Sequence, residues 1–513
     1  MENAGGTFRV PPATPSIMRI HTLIGAILIA NISWAQTTFN VVNHHQTMLS
    51  TGGGRAIFEQ SDGYLMFSVQ WAYDSTTSAV FATKFDVNGE YLWEKQYHTP
   101  GRNVDPGFID IAIPLVQGGF AASLTFFATG TLTKTYLYRF DNNADTLWTR
   151  LIKEDSSLEW NHGTRGIRQL SDTTFLHWGW CEGNIGCITF LDSIGQILSV
   201  QQYSNTNYIF GAKPSSSAGF ILGSSDNSYP DRGLIIKVDA AGEEQWRRHF
   251  GGHAQTSGAA VFPIEDGFLI PGAYEPTSTP LPNDNQSACL YKYDLNGSFQ
   301  WRKEYDHGFW STRSKIASAS DGNYWLVGGM MLFPSSPAFV MKVDAQGDSL
   351  WQRRYRYYYT DYAENYAMAI TPTSDGGLAM TGMVRQGFQD PQPHVASNWL
   401  IKLDEYGCLV PGCGTVGVNE YAADLNEYFT LWPNPVQAGA AINFRFEPPE
   451  GFSSQGDLRA VLLDATGKEV ISRTYANGTS RFALESVRLA AGIYHLHLTD
   501  ERSWLAGAKV VVE

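Results

Sequence analysis

Histidine and aromatic residues recur in the segments that join successive repeats of this chain, where they could bind a ligand. The candidate ligand-binding residues are Trp160, His162, His253, His307, Trp310, Tyr357, Tyr358, Tyr359 and Tyr362. Aromatic rings with a few polar groups beside them can stack on sugar rings or hold a peptide. Loops on one face of a rigid scaffold commonly form binding sites, and we expect the tyrosines of 357–362 to be the centre of this one. The alternative is that these rings only cover the edges of sheets.

The 5 cysteines indicate disulfides rather than a metal site. Cys408 and Cys413 bracket a short Leu-Val-Pro-Gly segment, and Cys181 and Cys187 bracket a short segment between two predicted strands. We predict that each of these two pairs forms a disulfide, which an oxidising compartment permits. Cys289 stands within a predicted strand and is expected to be a buried thiol. None of the spacings resembles a zinc site.

No sequence motif marks a catalytic centre. Gly-x-Ser-x-Gly, His-Glu-x-x-His and phosphate-binding loops are absent, so we predict no catalytic residue, no cofactor and no metal ligand. A carboxylate pair for glycoside hydrolysis stays open, because any two acids can meet across a folded ring. Asp86 and its neighbours offer too few oxygen donors for a calcium loop, and we interpret Asp86 as a turn cap. His495 and His497 share one face of a predicted strand, where we expect exposed side chains rather than a metal site.

The composition excludes several functional classes. The chain has 513 residues with 36 Lys+Arg and 50 Asp+Glu, a formal net charge of −14 at pH 7. Nucleic acids and anionic membrane surfaces are bound by clusters of positive charge. Because this chain is net negative, neither is an expected partner. The high aromatic content of 13% argues against a disordered chain. We also find no apolar run that is long enough for a transmembrane span.

A repeat of about 50 residues organises most of the chain. In its fullest form it reads Lys-x-Asp-x-x-Gly, then Trp, then Tyr or Phe four residues after the Trp. The recurring aspartates are Asp86, Asp141, Asp192, Asp239, Asp294, Asp344 and Asp404. Asp followed by Gly suits a tight hairpin turn. Residues four apart in a strand lie on one face, so the Trp and the Tyr or Phe can pack together between sheets.

A second turn motif completes each repeat. An Asp-Gly or Gly-Gly pair, as at Asp266-Gly267, precedes an apolar run in the first half of the unit. Each unit therefore predicts four short strands, the pattern of a β-propeller. The predicted fold class is all-β, a propeller of seven blades, or six or eight if a weak copy is miscounted; a stacked β-solenoid is the competing fold. We expect residues 37–42 to complete the last blade and close the ring.

The first 35 residues have the pattern of a secretory signal peptide. A short basic region begins at Met18, an apolar run follows from Leu23 to Ile32, and small residues at Ser33 and Ala35 precede a cleavage site. Met18 is a candidate for the true initiator. The predicted domains are a signal region at 1–35, a propeller at 36–413, a linker at 414–427 and a small antiparallel β-sandwich at 428–513.

Four motifs follow one another in the C-terminal module. Their residues are Pro433, Asn434 and Pro435, then Gly467 and Lys468, then Gly492 and Tyr494, and finally Lys509. In this order they resemble the type A C-terminal sorting domain of the type IX secretion system, with Trp432 where that family more often has Tyr. The resemblance implies export through the inner membrane, transfer across the outer membrane by the type IX machinery, and release or attachment at the cell surface.

These observations favour an exported binding protein. We predict a secreted or cell-surface protein, delivered through the periplasm, whose propeller is a scaffold for binding or adhesion to an extracellular glycan or protein. One alternative is a secreted enzyme that degrades polysaccharide or peptide on the same scaffold. Another is a purely structural component of a surface layer.

Overall fold

A computed structural model describes most of the chain from residue 37 onward. The described residues are 37–43, 50–71, 78–105, 111–128, 131–155, 166–181, 185–215, 218–226, 233–250, 261–274, 287–307, 309–310, 315–331, 336–358, 360, 362–387, 396–409, 421–422, 425, 428–448, 454, 456–465, 467–485, 489–500 and 503–513. The named elements in this part of the chain are all β-strands. The predicted signal region lies outside the described residues.

The strands before residue 410 form antiparallel sheets that follow one another along the chain. Strand β1 spans Phe39–Asn43. The first sheet contains β2 (Ser50–Gln60), β3 (Gly63–Trp71), β4 (Ser78–Phe85) and β5 (Tyr91–Tyr97). The second contains β6 (Asn103–Asp105), β7 (Ala112–Pro114), β8 (Phe120–Phe127), β9 (Thr133–Phe140) and β10 (Thr146–Asp155). The third contains β11 (Gly166–Ser171), β12 (Thr174–Cys181), β13 (Ile185–Asp192) and β14 (Ile197–Tyr203).

Four further sheets continue the series. The fourth contains β15 (Thr206–Pro214), β16 (Phe220–Asp226), β17 (Gly233–Val238) and β18 (Glu244–Phe250). The fifth contains β19 (Phe262–Ile264), β20 (Gly267–Tyr274), β21 (Ser287–Asp294) and β22 (Phe299–His307). The sixth contains β23 (Phe309–Trp310), β24 (Lys315–Ser318), β25 (Tyr324–Met331), β26 (Ala338–Val343) and β27 (Ser349–Tyr355). The seventh contains β28 (Glu364–Pro372), β29 (Leu378–Arg385) and β30 (Ala396–Leu403), together with β1.

Neighbouring sheets pack face to face, and the seventh packs on the first through β28 and β2. Middle strands such as β4 and β17 are buried along their whole length. Their near-continuous apolar sequences follow, because both faces of such a strand lie against another sheet. The arrangement is a closed ring of sheets, which is the predicted propeller fold.

In each sheet, the recurring Asp shapes the turn at the end of the strand that pairs with the outermost strand. At Asp86, Oδ1 accepts hydrogen bonds from the backbone N–H groups of Asn88 and Glu90, both at 2.8 Å. The same two bonds recur at Asp141, Asp192, Asp239, Asp294, Asp344 and Asp404. Gly89 has a left-handed φ of 83°, which glycine adopts without strain. The predicted turn-capping role of the Asp is confirmed.

The Trp and Tyr of the repeat join several of the sheets to the next one. Trp301 and Tyr305 lie on β22 of the fifth sheet and reach the turn of the sixth sheet at Gly347. A Cβ atom on Gly347 would lie 2.6 Å from the Trp301 ring, so the indole rests directly on this glycine. The Tyr305 hydroxyl donates a 2.7 Å hydrogen bond to the Gly347 carbonyl. Comparable contacts join Trp246 to Gly297, Tyr203 to Gly242, and both Trp351 and Tyr355 to Gly407.

Strand β1 closes the ring as predicted. It pairs antiparallel with β30, beginning with Phe39 opposite Lys402. Phe39 also takes the place that a Trp has in other sheets, since a Cβ atom on Gly89 of the first sheet would lie 2.7 Å from its ring. The N-terminal strand thus supplies both the fourth strand of the seventh sheet and its contact with the first. Strand β1 thereby covers what would otherwise be the free edge of β30.

The C-terminal module is a two-sheet sandwich. Its strands are β31 (Tyr421–Ala422), β32 (Phe429–Trp432), β33 (Ala441–Phe446), β34 (Leu458–Asp464), β35 (Glu469–Tyr475), β36 (Arg481–Glu485), β37 (Gly492–Thr499) and β38 (Ser503–Val512). One sheet has the order β31-β38-β37-β34-β35 and the other β32-β33-β36. Phe444 and Leu496 are fully buried in the core. Leu425, within the segment 414–427 predicted as a linker, also packs in this core and donates its N–H to Leu505.

The prediction that His495 and His497 are exposed is wrong. Their side chains are 9% and 0% exposed. Strand β37 lies between β34 and β38, and Trp504 of β38 covers this face. The Trp504 indole donates a 2.7 Å hydrogen bond to Nδ1 of His497, so this histidine belongs to the packing of the module.

Candidate ligand-binding site

The predicted ligand-binding residues fall at one recurring position, between the last strand of one sheet and the first strand of the next. His307 ends β22 and Trp310 ends β23, while Tyr357, Tyr358 and Tyr362 lie between β27 and β28. The remaining predicted residues, Trp160, His162, His253 and Tyr359, lie outside the described part of the chain. A role for these four in binding therefore stays a prediction.

Tyr357 and Tyr358 are held against the protein by Asn365. The Asn365 side-chain oxygen accepts the backbone N–H of Tyr357 at 2.7 Å and that of Tyr358 at 3.0 Å. Its Nδ2 donates to the carbonyl groups of Tyr358 and Ser336 at 3.1 and 3.2 Å. Both tyrosine rings pack on the core between the sixth and seventh sheets, and burial raises the pKa of Tyr358. Both tyrosines are thus partly buried, and their role in ligand binding stays a prediction.

Among the described tyrosines of this segment, Tyr362 is the most exposed. Its side chain is 42% exposed and its backbone is left-handed, with φ of 62°. Residues with a Cβ seldom adopt this conformation, so the surrounding structure must hold it. The N–H of Ala363 donates to the Thr360 carbonyl at 3.0 Å, and the N–H of Ser336 donates to the Ala363 carbonyl at 2.8 Å. The backbone at Tyr362 is thus held in place, and its exposed ring can stack on a flat ligand.

The centre of the ring encloses a second candidate site, which the sequence analysis missed. It is a cavity of about 270 Å³, and all seven sheets line it. One lining residue from each sheet, taken in order, is Arg55, Ala112, Arg168, Lys213, Phe262, Lys315 and Ala369. These residues lie on the strand of each sheet that is nearest the ring axis. A basic residue in this strand in four of the repeats is the sequence signal that could have revealed the cavity.

The cavity combines positive charge with apolar walls. Arg55, Arg168, Lys213 and Lys315 are among the described residues that line it. Arg55 is 4% exposed and Lys315 is 8% exposed, so both cations are deeply enclosed. Apolar side chains, including those of Ile57 and Phe262, complete the wall. Such a surface can hold an anion that also has an apolar part.

The cysteines behave as structural groups in the described part of the chain. Cys181 and Cys187 form the predicted disulfide across the β12–β13 hairpin, with their Cα atoms 5.7 Å apart. Cys289 is a buried free thiol, as predicted, and burial raises its pKa to about 12. Cys408 is 1% exposed. Cys413 lies outside the described residues, so the pairing of Cys408 with Cys413 stays a prediction.

In the described residues, no group of three or more His, Cys, Asp and Glu side chains could hold a metal ion. None of these residues belongs to a helix with the length and apolar character needed to cross a bilayer.

Two of the other motifs of the C-terminal module, at Asn434 and Tyr494, adjoin its last strand, which carries Lys509. Asn434 donates through Nδ2 to the Lys509 carbonyl at 2.9 Å and accepts the N–H of Val511 at 2.8 Å. The Tyr494 hydroxyl donates to the Ala490 carbonyl at 2.9 Å. Pro433 and Pro435 follow β32, Gly467 and Lys468 lie in the turn between β34 and β35, and Gly492 begins β37. Sequence motifs that are far apart thus build one structural unit around the end of the chain.

Comparison with protein families identifies this module. Residues 430–513 match the family described as the secretion system C-terminal sorting domain. The match confirms the resemblance to the type IX sorting domain. A protein with this domain is directed to the cell surface or the extracellular space, where the type IX machinery delivers it. No curated protein matches the chain in sequence.

Solved structures with some similarity include propeller proteins of very different sequence. The WD40 domain of SCAP from fission yeast is 9% identical, with a TM-score of 0.33, over 73% of this chain and 99% of that one. The β-propeller domain of the Trilobed protease from Pyrococcus furiosus is 8% identical, with a TM-score of 0.34, over 72% and 94%. The acylaminoacyl peptidase of Pyrococcus horikoshii is 10% identical, with a TM-score of 0.37, over 82% of this chain and 61% of the peptidase. The propeller assignment rests on the strand pairing described above.

Proposed function

We propose that this protein is an exported binding protein whose propeller acts as a non-catalytic adhesion scaffold outside the cell. The observation that carries the proposal is the union of a sorting domain at 430–513 with a closed ring of sheets that encloses a cavity. Export places the ring where extracellular ligands are found. The ring fixes the ends of its strands. Ligand binding would therefore cost little conformational entropy in the residues that the ligand contacts.

The proposed ligand of the outer surface is an extracellular glycan or protein. The segments between successive sheets present it with aromatic and imidazole groups, among them the exposed ring of Tyr362. We propose that six further residues in equivalent segments of the chain extend the same surface: Trp160, His162, His253, His307, Trp310 and Tyr359. Tyr357 and Tyr358 support this surface from below, since they pack on the core.

The test is binding of the purified full chain to glycan, polysaccharide and extracellular-matrix protein arrays, read for both binding and product release. We expect binding without product release. Tyr362→Ala should weaken it at least tenfold. Tyr406→Ala is the matched control, because Tyr406 is also an exposed tyrosine, 50% exposed, but lies in the Asp404 turn. Product release would overturn the non-catalytic proposal, and a protein that binds nothing on the arrays would overturn the adhesion role.

A further inference from the structure

We infer that two copies of this chain associate by pairing antiparallel along β14, the outermost strand of the third sheet. The inference goes beyond the proposed binding function, because it concerns the contact of this chain with a second copy of itself. Such a dimer would present two ligand-binding surfaces on one particle, which increases avidity for a repeated ligand.

Strand β14 is the end strand of its sheet. Among the described strands the order of this sheet is β11-β12-β13-β14, and β14 pairs with β13 so that Tyr203 lies opposite Gly186. The end strand of a sheet presents backbone N–H and C=O groups to which a further strand can pair. The seven residues of β14, Ile197–Tyr203, are thus a candidate for strand addition.

The middle of β14 is exposed where the corresponding strands are half-buried. Ile197, Leu198 and Val200 are 52%, 58% and 42% exposed. The third residue of β5, β18 and β27 is the half-buried Trp of the repeat. In β14 this residue is the exposed Ser199, which has no ring to cover the strand. The middle of β14 therefore presents apolar side chains to the solvent.

Charge separates β14 from the outermost strands of the other sheets. Charged side chains on an edge strand discourage pairing with another chain. Strand β14 has none, and β1, which is also uncharged, consists of buried and half-buried residues. Each of the other outermost strands carries a pair of charged residues: Glu94 and Lys95 on β5, Arg150 and Lys153 on β10, Arg247 and Arg248 on β18, Arg302 and Lys303 on β22, and Arg353 and Arg354 on β27.

The sequence of β14 fits a second copy of the same strand. When two identical strands pair antiparallel about a two-fold axis, one residue lies opposite its own copy. For pairing over the full length of β14 this residue is the midpoint, Val200, so an apolar side chain meets an apolar side chain. The midpoints of β5 and β18 are Glu94 and Arg247. Self-pairing of those strands would place like charges opposite each other, which is unfavourable.

The residues beside the midpoint are compatible with the same pairing. Ser199 comes opposite Gln201 of the second copy, and a hydroxyl and an amide can form a hydrogen bond. Gln201 donates through Nε2 to Glu243 at 3.0 Å, and its side-chain oxygen can accept from the Ser199 hydroxyl. The two strands therefore match each other in polar as well as apolar positions.

The size of the contact sets the expected affinity. Seven paired residues extend over about 23 Å, so one strand pair is smaller than a standard interface of about 800 Å² per partner. We therefore expect a dissociation constant in the micromolar range. Each copy carries a net charge of −14. Because salt screens the repulsion between the copies, the dimer should become stronger as the salt concentration rises.

The test is sedimentation-velocity ultracentrifugation of the purified full chain over a series of micromolar concentrations. We expect a monomer–dimer equilibrium. Leu198→Lys should weaken dimerisation about tenfold or more, since a lysine on an edge strand opposes pairing. Leu350→Lys is the matched control, because Leu350 is 50% exposed and precedes Trp351 on β27 as Leu198 precedes Ser199 on β14. It should dimerise like the wild-type chain.

A pair of opposite charges at the midpoint tests the two-fold register. Val200→Lys and Val200→Glu should each be monomeric, since like charges then face each other. An equimolar mixture of the two variants should dimerise again, because Lys faces Glu. This rescue is expected only where the two copies meet at Val200.

The inference is overturned if the wild-type chain stays monomeric at all concentrations, if Leu198→Lys dimerises as strongly as Leu350→Lys, or if the mixture of Val200 variants is as monomeric as each variant alone. A monomeric wild-type chain that binds a different extended peptide, with binding lost in Leu198→Lys, would assign β14 to another partner and also overturn it. The folded Leu198→Lys variant leaves Tyr362 unchanged, so its binding to the arrays tests the adhesion proposal separately.

Discussion

The contact between neighbouring sheets can be measured with two glycine substitutions in one sheet. Gly347 and Gly322 both have left-handed backbones, with φ of 80° and 83°. Alanine at either position therefore costs about 1–2 kcal/mol in backbone strain. At Gly322 the new Cβ meets nothing within 4 Å, whereas at Gly347 it would lie 2.6 Å from the Trp301 ring. Gly322→Ala is thus a matched control for the backbone effect.

The additional cost at Gly347 has two parts. Displacing a packed side chain to make room for a methyl group costs about 1–3 kcal/mol. Weakening the 2.7 Å hydrogen bond from Tyr305 to the Gly347 carbonyl adds about 1 kcal/mol. We therefore expect Gly347→Ala to lower the free energy of unfolding by about 2–4 kcal/mol more than Gly322→Ala.

Equilibrium urea unfolding, followed by tryptophan fluorescence, measures this difference. The same pair of substitutions in a Trp301→Ala background gives the second half of a double-mutant cycle. There the difference should fall to about 1 kcal/mol, because only the hydrogen bond remains to be perturbed. Equal destabilisation by the two alanines in the wild-type background would refute the idea that Trp301 holds the sheets together through Gly347.

Three further predictions concern closure, pH and disulfides. Phe39→Ala should destabilise the protein by about 3–5 kcal/mol, because it removes the ring that packs on Gly89 at the closing strand; an unchanged melting temperature would count against closure by β1. Burial raises the pKa of Asp404 to about 6, above its unfolded value, so this group makes the protein less stable as the pH rises from about 4 through 6. Asp404→Asn should remove this loss and be more stable than wild type at pH 7, by on the order of 2 kcal/mol, but not at pH 4; urea unfolding that gave the same difference at both pH values would contradict the assignment. Peptide mass mapping should find Cys181 linked to Cys187, Cys408 linked to Cys413 and Cys289 free; a free thiol at Cys408 would disprove the second link.

The repeat could be predicted because its key residues act locally. The Asp caps its own turn through N–H groups two and four residues ahead, as at Asp86, so the pattern is visible in a short stretch of sequence. The spacing of Trp301 and Tyr305 likewise shows that both lie on one face of a strand. That they meet the glycine of the next sheet became visible only in the fold, because Gly347 is remote in sequence.

The candidate sites were harder to predict, because their residues are remote in sequence and meet only in the fold. The cavity is built from one or a few residues on each of seven strands that share no motif, so Arg55 and Lys315 are related only through the ring. Tyr357 and Tyr358 have the sequence character of surface residues, yet the amide of Asn365 fixes them on the core. For His497 the alternation of the strand predicts a shared face, but which face Trp504 covers depends on tertiary packing.

Delivery by the C-terminal module is the central claim, and cell fractionation with surface protease accessibility tests it most directly. The experiment compares the full chain with a chain that ends before residue 421, in a bacterium with a type IX secretion system. A reporter that carries a signal peptide and residues 414–513 is the reciprocal test. We predict that the full chain and the reporter reach the outside of the cell while the truncated chain stays in the periplasm. Equal surface delivery of the truncated chain would contradict the account.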